Sequence, residues 1–216
     1  MKQYDVFIAG GGMSGFSEEQ MTRPLFEEPT VEQERIDPSD GPPGFLIGGM
    51  ANSTFQHMGQ QYFDAANLLV ETIRMGEWED YRLANPVLYL YRHSIELFLK
   101  SVLGGAGKTH NLSSLADDFQ AFIKAEFGAD LPDWISNRLN ELAALDPGST
   151  AFRYSQNYDK ASKIDLPVDG EYYVDLFHLQ SAMMALNSAL VGVVAAKACG
   201  EGKSAPAHDS GGGAAG

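Results

Sequence analysis

The sequence predicts an all-α bundle of about five helices, mostly antiparallel, carried between residues 51 and 199. Three observations lead there. Apolar residues recur at threes and fours in successive segments after residue 50; Gly, Pro and Asn/Asp signals punctuate those segments; and no parallel-sheet pattern follows. Residues 1–50 are set apart as a Gly-rich, acidic, largely irregular arm, and residues 200–216 as a low-complexity tail expected to be disordered.

In the arm, Tyr4 to Ala9 reads as a short strand followed by Gly10, Gly12 and Gly15 in GxGxxG spacing. That spacing resembles the opening of a flavoprotein Rossmann fingerprint, in which glycines let the backbone approach a pyrophosphate at a helix N-terminus. The context opposes it: Pro24 stops any helix early, and no second apolar strand completes a βαβ unit. A short strand or a glycine-rich arm is the preferred reading. Residues 17–44 hold eight acids, two arginines and five prolines, the composition of a solvated linker.

The first helix is expected from an Asn52 or Ser53 cap, with Phe55, Met58, Tyr62, Ala65, Ala66, Leu69 and Ile73 on one stripe and Gly76 as its stop. The organising helix runs from Asn85 to Gly104. Asn85 suits the N-cap, Pro86 the first helical position, and Gly104 the stop. Apolar residues from Val87 to Val102 cover well over half its circumference, so it should be surrounded by the others. The remaining arc carries Arg92, Glu96 and Lys100 at i, i+4 and i+8, with Tyr89 and His93 beside them. A third helix begins near Thr109 or Asn111 and closes at Gly128, on a stripe of Leu112, Leu115, Phe119, Phe122, Ile123 and Phe127. A fourth spans about Pro132 to Leu145, with Trp134, Ile135, Leu139, Leu142 and Leu145 inward and Asp146-Pro147 as its stop. Residues 147–170 form a long connection, a length that tends to be functional or mobile. The last helix, Glu171 to about Ala198, carries a row of small residues at Ser181, Ala185, Ala189 and Gly192. The row is expected to pack on the domain's own helices or, as the second choice, on another copy of the chain.

Fifteen basic against 29 acidic residues give a formal charge of −14, which opposes non-specific binding to nucleic acid or an anionic membrane. The distribution is uneven: Tyr81 to His110 holds Arg82, Arg92, Lys100 and Lys108 against Glu96 alone, a local +3 where an anion site is possible. With Cys199 as the single cysteine, an intramolecular disulfide, a thiolate zinc site and a redox pair are all excluded. The cytoplasm is the expected compartment. The run VFIAG is too short for a signal-peptide core, and the apolar stretch 182–198, broken by Asn187, Ser188 and Lys197, reads as a core helix rather than a membrane span. The spacing of the five histidines builds no metal site, and no GxSxG, Walker or HExxH pattern occurs, so neither metal nor cofactor is expected.

Candidate chemistry concentrates on the polar stripe. His93 and Glu96 are i, i+3 neighbours, and Glu96 is placed to hold Arg92 and Lys100, so the stripe can present a positioned His and Arg to a phosphate. The plainer alternative is a solvated face laced with salt bridges worth about 0.3–0.5 kcal/mol each. His110 stands at a helix start, where it is either an anion contact or part of a capping turn. Arg153 and Tyr154, in AFRY, either close over a ligand or anchor their loop. His178, three residues after Asp175, reads as a local hydrogen-bonded pair.

Together YRHSIELFLKSVL, KTHNLSSL and DPGSTAFRY resemble a bacterial branch of the HEPN superfamily over about residues 52–198. The resemblance implies an all-α, often dimeric bundle from toxin–antitoxin, phage-defence or RNA-processing systems, where a cognate partner protein is common. Active members are metal-independent ribonucleases that use an Arg followed by a His after four to six residues. No Arg–His pair here has that spacing, and Arg92 and His93 are adjacent. The usual nuclease pair is therefore not transferable. The leading expectation is a HEPN-like domain that binds RNA or a nucleotide through Arg92, His93, Glu96, Lys100, His110, Arg153 and Tyr154. Two alternatives stand beside it: a metal-independent ribonuclease using His93 with Arg92 or Arg153, and a non-catalytic dimeric interaction module.

Overall fold

A computed structural model describes residues 17, 20, 22–35, 44–46, 54–105, 109–154, 157–159, 164–166, 168 and 170–201. The glycine-rich segment Tyr4 to Gly15 and the tail beyond Glu201 lie outside the described residues. The chain divides into two units, Met1–Ala51 and Asn52–Gly216.

In the first unit every described residue is exposed. The short helix α1 (Val31–Glu34) is held by a capping box: Thr30 Oγ1 accepts from the Gln33 amide at 3.2 Å, and Gln33 Oε1 accepts from the Thr30 amide at 2.8 Å. Arg23 pairs with Glu27, four residues on, at 2.7 Å.

The second unit is an all-α bundle. Its five long helices are α2 (Phe55–Arg74), α3 (Asp80–Val102), α4 (Leu112–Phe127), α5 (Asp133–Leu145) and α7 (Leu176–Glu201). The long connection holds a single turn, α6 (Ala151–Tyr154), and a small antiparallel hairpin of β1 (Asn157–Asp159) and β2 (Ile164–Leu166), with Asn157 opposite Leu166. Most ends follow the local chemistry. The Thr54 hydroxyl caps α2, Asn111 Oδ1 caps α4 by accepting from the Ser114 amide at 3.0 Å, and Gly128 ends α4 in the left-handed region at φ 65°. The organising helix departs from expectation. It begins five residues before Asn85, at Asp80, so Pro86 lies inside it. Those first turns are mostly exposed, where solvent can take the carbonyl that Pro86 leaves without a donor, and Asp80 complements the helix dipole.

Helix α3 is the centre. Tyr91, Ile95, Phe98, Leu99 and Val102 are fully buried, and α2, α4, α6 and α7 all pack against it, while α5 packs on α4. Helices α2 and α3 approach closely at Gly59. A Cβ there would stand 3.1 Å from the Phe98 ring, and Ser94 Oγ donates to the Gly59 carbonyl at 2.8 Å. Ala65, expected on the inner stripe of α2, is exposed, and three aromatic side chains expected inward stand partly in solvent: Trp134 is 45%, Phe127 43% and Phe55 41% exposed. Each of these rings sits near a helix end, where the apolar stripe outruns the surface available to cover it.

Helix α7 is apolar on all sides, and only one side finds the core. Met183, Leu186 and Leu190 are buried, whereas Ser181, Met184, Ala185, Ser188, Gly192 and Ala195 are exposed. The expectation that the small-residue row packs on the domain's own helices is therefore not met, apart from half-buried Ala189. A Cβ built on Gly192 meets nothing within 4 Å. By length and composition Leu176–Cys199 would also suit a membrane, with 22% of its apolar window buried.

Candidate functional site

The polar stripe of α3 does not face a groove. Arg92 and Glu96 are completely buried and Lys100 is 7% exposed, because the loop after α5 and the approach to α4 close over them. The Arg92 guanidinium ties three segments. Nε donates to the Asp146 carbonyl at 3.0 Å, Nη1 to Glu96 Oε2 at 3.1 Å, and Nη2 to the His110 carbonyl at 2.9 Å. Glu96 Oε1 accepts from Lys100 Nζ at 2.8 Å and lies 2.8 Å from His110 Nδ1. The Asp146 carboxylate adds a charge 3.5 Å from Arg92 Nε, and its Oδ1 accepts the amides of Thr150 and Ala151 at 2.8 and 3.1 Å, which starts α6.

This knot balances two cations, Arg92 and Lys100, against two carboxylates. Removing four charges from water is costly, and only this density of pairing offsets it. What it supplies is geometry: the α5–α6 loop and the α4 entrance are locked to one turn of α3. Arg92 is therefore a scaffold residue rather than the ligand-facing group expected of it, and Glu96 and Lys100 are engaged in the same way. Of this group only His110 reaches the surface, its side chain 64% exposed.

The outward chemistry lies on the neighbouring rings. His93 is half-buried, edge-on to Tyr62 with centroids 4.6 Å apart, and stacked on Tyr89 at 5.6 Å with an interplanar angle of 7°. The Arg153 guanidinium stands 5.9 Å from the Tyr89 ring and 4.9 Å from the Tyr154 ring, and Nη2 donates to the Tyr154 hydroxyl at 2.7 Å. Arg153 and Tyr154 are both exposed. Tyr62, His93, Tyr89, Arg153 and Tyr154 thus form one row, set by α2, α3 and α6. Of the expected site residues, Arg92, Glu96, Lys100 and His110 meet in the buried knot, and His93, Arg153 and Tyr154 meet on the surface row.

Burial pushes the His93 imidazole below its ordinary value of 6.5, and the charges of Lys100, Arg92 and His110 act in the same direction against Glu96. Burial alone would raise the Glu96 carboxyl, but hydrogen bonds from Lys100 and His110 outweigh it and hold the group below its ordinary value of 4.5. Both shifts leave the folded state with fewer protons than the unfolded chain. The His93 contribution is complete above about pH 6.5 and is lost as pH falls below it; the Glu96 contribution follows below about pH 4.5. The melting temperature is expected to be flat from about pH 7 to about pH 9, to fall on acidification, and to fall again above about pH 10, where burial holds the Tyr91 hydroxyl up to about 12. In His93→Gln the upper part of the acid fall should vanish, a comparison that differential scanning calorimetry makes directly.

Tyr62, Tyr89 and Asp146 acquire roles that sequence reasoning did not give them. Tyr62 reads as a core residue, Tyr89 as a neighbour of the stripe and Asp146 as a helix stop. Among the described residues no group of three or more His, Cys, Asp and Glu is placed to hold a metal ion. The chain matches no protein-family model, no curated protein and no solved structure.

Proposed function

We propose that the chain is a HEPN-like helical domain that binds RNA or a phosphate-bearing nucleotide across the Tyr89, His93, Arg153 and Tyr154 surface. The observation that carries this reading is the stacked Tyr89–His93 pair with Arg153 set beside both tyrosine rings. Unpaired bases stack on such rings whatever their sequence, each contact being worth about 1–3 kcal/mol, and a guanidinium beside them takes the phosphate. The overall charge of −14 disfavours long duplexes, so the ligand is a short single strand or a nucleotide. A bacterial defence, toxin–antitoxin or RNA-processing setting, a cognate protein partner and a cytoplasmic location belong to the same proposal and rest on the family resemblance.

Fluorescence anisotropy with a labelled single-stranded RNA tests it. Binding at low salt, weakened at least about tenfold in Tyr89→Ala and in Arg153→Ala, is the expected result. Equal binding by the wild type and both variants would reject the reading.

A specific observation favours catalysis as the second reading. His93 is held neutral, as a general base requires, and Arg153 is close enough to the same rings to offset charge on a phosphate. If so, the RNA in these titrations shortens even in EDTA, and His93→Gln stops it.

The third element is a homodimer through α7. Ser181, Ala185, Ser188, Gly192, Ala195 and Cys199 recur at steps of four and three and are all exposed. Leu176 to Ala196 contains no Asp, Glu, Lys or Arg. Such a seam suits a second helix at close approach.

A further inference from the structure

We propose that the groove between the start of α3 and the segment leading into α7 binds a small organic cation of the alkylammonium class. Its volume of 490 Å³ lies within the range of small-molecule sites. Ile73, Val87, Leu176 and Leu179 supply apolar walls. Four aromatic residues line it while standing largely in solvent: Tyr81 is 71%, Tyr172 66%, Tyr173 92% and Phe177 67% exposed. Two carboxylates, Asp80 and Asp175, complete the lining, and no Lys, Arg or His belongs to it.

The sign of the ligand follows from the charges. Each aromatic face is electron-rich and attracts a cation. Two helix N-termini, of α3 and α7, open here and contribute about +0.5 each, against a full negative charge on each carboxylate. The nearby Arg74 and Arg82 are each offset by an ion-paired acid, Glu71 at 2.8 Å and Glu79 at 3.3 Å, so the balance stays close to −1. The helix-start amides are also partly taken: Asp80 Oδ1 accepts from the Tyr81 amide at 2.7 Å and Asp175 Oδ1 from the His178 amide at 3.0 Å. The second oxygen of each carboxylate has no donor among the described residues. An anion would meet this negative balance, and a neutral apolar molecule would gain nothing from the carboxylates. The rings already receive cations from within the chain: the Arg74 guanidinium lies 4.0 Å from the Phe177 centroid and that of Arg82 6.0 Å from the Tyr81 centroid. The overall acidity of the chain draws cations toward it.

Isothermal titration with choline and with its neutral isostere, 3,3-dimethylbutan-1-ol, tests the proposal on the full chain. Saturable choline binding about tenfold or more tighter than the alcohol is expected, weakening as salt is added. Asp175→Asn keeps a good N-cap for α7 and should lose about tenfold. Tyr173→Ala, at a position 92% exposed and so remote from folding, should lose a similar factor. Equal binding of choline and the alcohol, no saturable binding of choline, or unchanged binding in both variants would overturn it. None of these residues belongs to the RNA surface, so either proposal can fail without the other.

Discussion

Arg92→Ala is expected to destabilise the helical unit by about 3–5 kcal/mol, the cost of stranding a buried charge pair. The substitution leaves the buried Glu96 carboxylate without one partner and the buried Asp146 carbonyl without its donor, and frees the His110 carbonyl as well. For a domain of this size that corresponds to a fall in melting temperature of roughly 6–20 °C, read by circular dichroism. Glu96→Ala should cost a similar amount, since it strands Arg92 and Lys100 instead. The diagnostic result is the double variant Arg92→Ala/Glu96→Ala, whose cost should be clearly less than the sum of the single ones, because it removes two opposite charges together. Simple additivity would mean that the two residues do not act as a unit. Loss of RNA binding in Arg92→Ala alone would then reflect loss of the fold, which is why Tyr89 and Arg153 carry the functional test.

The second large effect is on assembly. Light scattering should give the wild type twice the mass of one chain, and Gly192→Arg should return it to a folded monomer whose melting temperature, unlike that of the wild type, no longer rises with protein concentration. The side chain at 192 meets open space in the single chain, so a long cation there is unstrained, and Arg is the better helix former by up to about 1 kcal/mol. In a close-packed seam the same side chain has no room. A monomeric wild type would remove the dimer; a protein that stays in solution only with detergent would assign the α7 face to a bilayer instead.

How much of this was legible in the sequence depends on the range over which each feature is set. The five long helices follow from a local period, and caps such as Asn111 and Gly128 from local chemistry, so they are visible in single segments. The start of α3 is not, because Pro86 after Asn85 imitates a beginning and hides the helical spacing of Leu83 to Val87. The fate of the polar stripe is set at long range. Arg92 meets the Asp146 carbonyl 54 residues on, and a solvated stripe and a buried one look alike from α3 alone. For the same reason the stripe suggests a ligand site, while the surface proposed for one is built from Tyr89, His93 and Arg153, brought together by α6 packing on α3. Helix α7 is the opposite case: it is apolar all round, so its pattern does not say which side is covered, and only the packing distinguishes Leu186 from Ala185.

The central claim, that a buried Arg92–Glu96 tie supports a ligand surface made by its neighbours, is tested most directly by one comparison. A labelled single-stranded RNA is titrated at low salt into the wild type and into Tyr89→Ala/Arg153→Ala, with both proteins shown to melt within a few degrees of each other. Saturable binding to the wild type and a loss of at least about a hundredfold in the double variant is the predicted result. Equal affinity for the two folded proteins would contradict it.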